Sequence, residues 1–290
     1  MHVGILTPDL NATHGWGTYS LGLLDALRRA GVALSIVSAR NSPPRDDLAQ
    51  QRSLPTVTPF APQFLPRLAA ACPAARTALA GCDLVHVMAE PYAPLGGWLA
   101  GARPLITTGH GTYVRMGERS FPSGWLYRRA FQRGLLICVS HYTESVARAT
   151  LPGLRTAVVL NGVAAERYAD IERQPAAAPT ILTVGAVKAR KGTLLLVRAL
   201  AEVRQQIPRA RLVIAGSLDA ERAYVAAVRQ EIDALGLQDA VSLPGRIPDA
   251  ELRRHYAEAH VFALASQNIG GKFEGYGLAL IEASAAGLPV

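Results

Sequence analysis

Glu274 and Glu282 stand eight residues apart, with Gly275-Tyr276-Gly277-Leu278 and the start of a helix-forming run between them. At 100° per residue Glu282 falls between Leu278 and Ala286 on the helical wheel, with Ala279 close by, so its neighbours are all apolar. A carboxylate placed there is costly to desolvate unless hydrogen-bond donors wait for it, and ribose hydroxyls are good donors. Glu274 sits in the glycine loop ahead of the helix, where backbone N–H groups and the helix dipole favour an anion. A second anion in such a place makes sense as a ligand for hydroxyls. For an isolated acid pair, a solvent-facing Glu282 and a plain loop acid would be the simpler reading; the flanking glycines argue for a site. A second cluster, Val184-Gly185-Ala186-Val187-Lys188-Ala189-Arg190-Lys191-Gly192, ends a strand-like run with Lys188, Arg190 and Lys191, and a helix opens at Gly192. It is either a solvated basic turn or a phosphate site. Leaving-group chemistry on a nucleoside diphosphate needs positive charge, from a divalent metal or from Lys, Arg and a helix N-terminus. No Asp-x-Asp pair is found, so a metal-free site is expected.

These residues must be carried by something. Apolar, β-branched runs at 2–7, 32–38, 84–88, 104–108, 135–140 and 156–160 read as strands, and the run opening near Gly17 and closed by Gly31 reads as a helix. Its expected buried face is Tyr19, Leu23, Ala26, Leu27 and Ala30. The proline-rich stretch 41–64 reads as loop. At 171–179 periodicity stops and two prolines appear, which suggests an interdomain linker and domains 1–173 and 174–290. Strands then resume at 180–186, 210–217, 240–244 and 260–266, with helices at 192–207, 219–235, 249–259 and 276–286. Strands alternating with helices imply an α/β fold of two doubly wound parallel sheets. Gly287-Leu288-Pro289-Val290 reads as a helix stop and the start of another buried strand, so the second domain is expected to be incomplete and less stable for it.

Half of the 290 residues are hydrophobic and only 18% are charged, which supports two well-cored domains and excludes disorder. Met1-His2-Val3-Gly4-Ile5-Leu6 has no basic leader and meets Asp9 and Asn11 at once, unlike a secretory signal, and no apolar run reaches membrane-spanning length. Cys72, Cys82 and Cys138 are odd in number and lack metal-ligand spacing, as suits buried thiols in a reducing compartment. The expected location is cytoplasmic. The net charge of +8 suits phosphate-bearing small molecules, nucleic acid or an anionic membrane surface, or simply arginine-rich helix faces in water. Aromatic residues are 6% of the chain, and no base-stacking platform or recognition helix is evident, so no nucleic-acid partner is expected.

Phe273-Glu274-Gly275-Tyr276-Gly277-Leu278 through Glu282, followed by Glu282-Ala283-Ser284-Ala285-Ala286-Gly287-Leu288-Pro289-Val290, resembles the Glu-x7-Glu element of the retaining glycosyltransferases of family four. Val184-Gly185 with Lys191-Gly192, Asn161-Gly162-Val163, Ile214-Ala215-Gly216 and Leu243-Pro244-Gly245 fall in the family's places and order. The resemblance covers essentially the whole chain. It implies the GT-B fold, two Rossmann-like domains facing a cleft, and a nucleoside-diphosphate sugar as donor with no further cofactor. It also implies roles: Glu282 for the donor ribose, Glu274 for hydroxyls of the transferred sugar, Lys191 for the diphosphate, and the amides of Gly275, Tyr276, Gly277 and Leu278 alongside. Where the family often has Arg after the first-strand glycine this chain has Ala186, which passes the second phosphate cation to Lys188 or Arg190.

Gly15-Trp16-Gly17-Thr18-Tyr19 resembles the family's Gly-x-Gly loop, which would put Gly15 and Gly17 where backbone amides approach phosphate and acceptor; the alternative is a plain turn before a helix. A nicotinamide site would want a third glycine and an acid after the second strand, where this chain has Ser20 and Ala39-Arg40-Asn41. Thr107-Thr108-Gly109-His110-Gly111-Thr112 follows an apolar strand and resembles the active-site histidine loop, which would place His110 at the donor sugar near the reacting carbon; the alternative is a histidine that caps the turn. His2, His14, His86, His141, His255 and His260 lack metal-ligand spacing and read as structural. Arg115, Arg119, Arg128, Arg129 and Arg133 interleave with Phe121, Trp125, Tyr127 and Phe131, either as a face for anionic lipid, part of an acceptor pocket, or a solvated helix with an aromatic core side.

The expected activity is transfer of a hexosyl group, with retention and without metal, from a nucleotide sugar to a glycan or lipid-linked acceptor, as in polysaccharide biosynthesis at the inner face of a membrane. The alternatives are an inactive nucleotide-sugar-binding fragment and a nucleotide-sugar epimerase of the same fold.

Overall fold

β1 (His2–Thr7) is apolar on both sides, and its residues alternate between two cores. Leu6 joins Val37, Leu54, Phe64, Leu68, Val85 and Val87, while Val3 and Ile5 join Leu24, Ile36 and Met88. A strand that is buried on both faces belongs in a parallel sheet covered by helices, and the crossovers supply them. This computed structural model describes residues 1–11 and 15–290, so His14 lies outside the described residues. The chain divides into two compact units, Met1–Asn161 and Gly162–Val290.

In the first unit the elements after β1 are α1 (Gly15–Arg29), β2 (Ala33–Ala39), β3 (Gln50–Leu54), α2 (Phe64–Ala78), β4 (Leu84–Val87) and α3 (Ala93–Ala100). They continue as β5 (Leu105–Gly109), α4 (Ser123–Arg133), β6 (Leu135–Cys138), α5 (His141–Thr150) and β7 (Thr156–Val158). The sheet runs β3-β2-β1-β4-β5-β6-β7, with parallel pairing throughout. Its order reverses between β1 and β4, and ligands of open α/β sheets bind at the carboxyl ends of the strands beside such a reversal.

The second unit contains β8 (Thr180–Val184), α6 (Thr193–Gln206), β9 (Arg211–Ala215), α7 (Arg222–Ala234), β10 (Val241–Gly245), α8 (Asp249–Glu258), β11 (Val261–Phe262) and α9 (Leu278–Ala285). Its parallel sheet runs β10-β9-β8-β11, reversing between β8 and β11. The Pro289 carbonyl accepts from the Phe262 N–H, so the chain returns beside β11.

Three expectations need correction. The stretch 41–64 is not all loop: Gln50–Leu54 pairs with β2. Gln-Gln-Arg-Ser carries no apolar alternation, because an edge strand needs to bury little, and only Leu54 enters the core. α1 buries Gly17, Ser20 and Leu24, while Ala26 and Ala30 are exposed, because Ser20 Oγ pairs with Thr7 Oγ1 at 2.7 Å and turns that side to the sheet. Cys82 and Cys138 are buried, but Cys72 lies half-exposed on α2.

Residues 162–179, including the stretch expected as linker, pack with the second unit. Tyr168 and Ile171 join the core around Tyr256 and Phe262. Arg173 donates to the carbonyls of Tyr256, Ala257 and Ala259, satisfying the last turn of α8, and the N–H groups of Gln174 and Ala176 donate to Ala257 and Glu258.

Candidate functional site

β8 and β11 are neighbours, so the connections leaving their carboxyl ends meet. The turn Ala189–Lys191 follows β8, and Glu274 arrives on the connection after β11. Glu274 Oε2 lies 2.5 Å from Lys191 Nζ and 2.7 Å from Arg190 Nη1, and Ser266 Oγ is at 3.4 Å. Burial pushes the Glu274 carboxyl up, but Lys191 and Arg190 outweigh it and hold the group below its ordinary value. Lys188 makes no ion pair among the described residues; burial, and then the charge of Arg190, lowers its pKa. Three cations thus share one strand end with one carboxylate between two of them.

Glycines permit this crowding. Gly192 caps α6 with φ of 68°, and a Cβ there would lie 1.8 Å from the Ala265 carbonyl oxygen. The Gln267 N–H donates to the Arg190 carbonyl at 2.8 Å, and the Ala189 N–H to Glu221 Oε2 at 2.9 Å, fixing the turn. Gly277 caps α9 with φ of 74°, which redirects the chain between Glu274 and the helix that carries Glu282. Gly275 is buried, and Tyr276 and Leu278 are half-buried around this bend.

Glu282 is half-buried, and burial pushes its carboxyl up. Its surroundings are not wholly apolar: Tyr256 Oη donates to Oε2 at 3.4 Å, and Tyr168 stands near enough that burial and then the Glu282 charge push its hydroxyl up. The two rings pack edge to face at 6.0 Å. Neither tyrosine was singled out in the sequence, because Tyr168 and Tyr256 reach Glu282 from elements far away along the chain.

In the first unit β5, the neighbour of β4, delivers His110 one strand from the order reversal. Its Nε2 lies 2.8 Å from the Met88 carbonyl, which can only accept, so Nε2 carries the hydrogen and Nδ1 is the free acceptor of a neutral ring. Burial pushes this imidazole down to about 4, so it is uncharged at neutral pH. Tyr19 meets the ring edge to face at 4.5 Å, and its hydroxyl lies 3.1 Å from Thr108 Oγ1, itself 2.9 Å from His86 Nε2. Gly109 admits this packing, since a Cβ there would stand 2.7 Å from Val114 Cγ1.

Glu90, absent from the sequence candidates, is fully buried just past β4. Its Oε1 accepts from the N–H groups of His110 at 2.7 Å and Gly111 at 3.2 Å. Burial pushes its carboxyl up to about 7. One acid in the apolar run Val87-Met88-Ala89-Glu90-Pro91-Tyr92 was the available signal.

Gly15 opens α1 and is exposed, whereas Gly17 is buried where a Cβ would fall 2.0 Å from the Asn11 carbonyl oxygen. Close helix packing explains Gly17; a contact to phosphate is a proposal for both. The arginine–aromatic segment splits. Tyr127 and Phe131 are core, while Phe121 is 80% and Trp125 48% exposed. Arg128 and Arg133 are spent on backbone carbonyls of Gly117 and Gly97, Arg115 pairs with Glu118, and Arg119 lies over the Phe60 ring at 4.9 Å. Among the described residues no three His, Cys, Asp or Glu side chains group as metal ligands, and no helix is long and apolar enough to cross a membrane.

Known proteins share this architecture. The chain is 31% identical over 216 residues to the GDP-mannose-dependent alpha-(1-6)-phosphatidylinositol monomannoside mannosyltransferase of Mycolicibacterium smegmatis, covering 70% of this chain and 56% of that protein. It is 28% identical over 249 residues to the GDP-mannose:cellobiosyl-diphosphopolyprenol alpha-mannosyltransferase of Komagataeibacter xylinus, covering 80% and 56%. It therefore spans about half the length of the curated relatives it matches. Anabaena HepE in complex with UDP and glucose superposes with a TM-score of 0.75 at 20% identity, covering all of this chain and 80% of that one. The sucrose-phosphate synthase of Thermosynechococcus elongatus superposes with a TM-score of 0.75 at 22% identity and the same coverage. The profile described as Glycosyl transferases group 1 matches residues 165–290. That described as Glycosyltransferase Family 4 matches residues 13–167, more than half of the chain, and the protein belongs to that family of GT-B glycosyltransferases.

Proposed function

We propose that the protein is a retaining, metal-independent hexosyltransferase whose second unit holds a nucleoside-diphosphate sugar. The observation that carries this reading is the meeting of Lys191, Arg190 and Glu274 at the reversal between β8 and β11, with Glu282 farther along on α9. Lys188, Arg190, Lys191 and the N-terminus of α6 supply the charge that a departing diphosphate needs, in the place a divalent metal takes elsewhere. Glu282 receives the ribose hydroxyls, and Glu274 the hydroxyls of the sugar, with the amides of Gly275 to Leu278 beside it. His110, neutral and with Nδ1 free to accept, is assigned to the sugar's reacting carbon, where such a ring favours positive charge without taking a full proton. The leaving phosphate then assists deprotonation of the acceptor, and the protein contributes position and electrostatics. Gly15 and Gly17 are assigned to the same donor.

The relatives named for GDP-mannose and the neighbour that binds UDP make these the first bases to test. A glycan on a lipid carrier suits the acceptor, because the relatives are named for phosphatidylinositol and diphosphopolyprenol substrates. Exposed Phe121 and Trp125 beside Arg129 suit peripheral contact with an anionic membrane at its cytoplasmic face.

Calorimetric titration with UDP, GDP and ADP, with and without EDTA, tests the donor site. One nucleotide is expected to bind equally with EDTA present, and Glu282→Ala and Lys191→Ala to weaken it at least about tenfold, the equivalent of one good charged hydrogen bond. A folded chain that binds none of the three overturns the reading.

A further inference from the structure

We propose that Glu90 is a positioning residue for His110, holding the loop after β5 so that the imidazole keeps one orientation; its bearing on catalysis rests on the transferase reading above. The loop needs such a partner. β5 ends at Gly109, and the next two amides have no strand to pair with, yet both donate to the same oxygen of a side chain 20 and 21 residues earlier. The ring is fixed from the same direction, because the carbonyl that accepts from Nε2 belongs to Met88, two residues before Glu90. Tyr19 meets the ring edge to face at 4.5 Å. Backbone and ring of His110 are therefore both registered on the short connection from β4 to α3.

That connection is itself anchored. Tyr127 Oη donates to the Pro91 carbonyl at 2.9 Å, and Tyr92 Oη to the Pro55 carbonyl at 2.6 Å, so Glu90 is presented from a rigid turn. Holding two amides does not require an acid, since a neutral acceptor of the same shape would serve. Nonetheless the position holds a fully buried carboxylate whose Oε2 has no partner among the described residues. Such a group costs stability, and a misplaced catalytic side chain costs rate, which is the benefit that offsets it.

The test uses the full chain with UDP-glucose and GDP-mannose, reading release of nucleoside diphosphate, together with hydrogen exchange of the segment 105–116. Glu90→Ala is expected to lower kcat by about 10–100-fold, the range of a small misplacement, with the donor KM little changed. Exchange at His110 and Gly111 should quicken in the same variant. Glu90→Gln keeps an acceptor for both amides and is expected to restore kcat to within about threefold of the parent. Should the alanine variant fail to fold, Glu90→Asp, with the oxygen withdrawn by one methylene, carries the same comparison. An unchanged kcat in the alanine or aspartate variant of an active parent overturns the positioning role alone, as does a glutamine variant as slow as they are. A parent that turns over neither sugar nucleotide overturns the transferase reading and the role with it.

Discussion

Glu90 and the two buried histidines titrate in opposite senses. The Glu90 carboxyl is raised by burial from 4.5 to about 7, so its stabilising contribution is complete below pH 4.5 and is lost as pH rises through about 7. His86 and His110 are lowered by burial from 6.5 to about 4, so theirs is complete above 6.5 and is lost as pH falls through about 4. A glutamine at position 90 removes the first effect and keeps the second. The melting temperature of Glu90→Gln minus that of the parent should therefore climb between about pH 4.5 and 7, by an amount worth at most about 3 kcal/mol for a carboxyl raised from 4.5 to about 7. A flat difference would mean that the Glu90 carboxyl ionises inside the fold as readily as in the unfolded chain. At this scale the sequence disclosed residues whose company is local. Glu274 and Glu282, or Lys188, Arg190 and Lys191, advertise themselves through glycines and charges a few positions away. Glu90, Tyr168 and Tyr256 act on residues 20 or more positions distant, through strand and helix neighbours that no local spacing encodes.

Among the elements, those with a strong apolar period were legible to within a few residues, as with β1, α6 and α8. β3 was not, because its stability comes from backbone pairing with β2 and not from side chains. The helix starts are where geometry is tightest, and glycines report it. At Gly192 a methyl would sit 1.8 Å from a carbonyl oxygen in a left-handed backbone, whereas at Gly22, exposed in the middle of α1, it would meet nothing within 4 Å. Gly192→Ala is expected to destabilise the second unit by at least about 2 kcal/mol, combining conformational strain with overpacking. Gly22→Ala is expected to stabilise α1 by about 0.5–1 kcal/mol. Thermal unfolding followed by circular dichroism decides both, and equal effects of the two would show that the closeness of α6 to Ala265 is not what requires a glycine.

Over the whole molecule each parallel sheet reverses its order, and the connections leaving the strands at the reversal carry candidate residues, Glu90 after β4 in the first sheet and Lys191 and Glu274 after β8 and β11 in the second, while His110 follows β5, one strand away. Alternation of strands and helices made the parallel sheets legible, whereas the neighbours β1 with β4 and β8 with β11 emerge only from the assembled topology. In the proposed reaction the knot of Lys191, Glu274 and Arg190 bears on how the cycle ends. Lys191 and Arg190 hold an anion of the protein's own, so on the proposed donor reading a diphosphate that pairs with them displaces the Glu274 carboxylate. On that reading the hydroxyls of the transferred sugar compensate the displaced Glu274, and the spent nucleotide lacks that sugar. In the proposed reaction the side chain is then an intramolecular competitor that favours release of product. Glu274→Ala should therefore bind bare UDP or GDP several-fold more tightly than the parent while releasing nucleotide from the sugar donor far more slowly. Calorimetry beside a turnover assay reads both signs, and weaker binding of the bare diphosphate by that variant would show that Glu274 holds the cations in place for the ligand instead of contesting them.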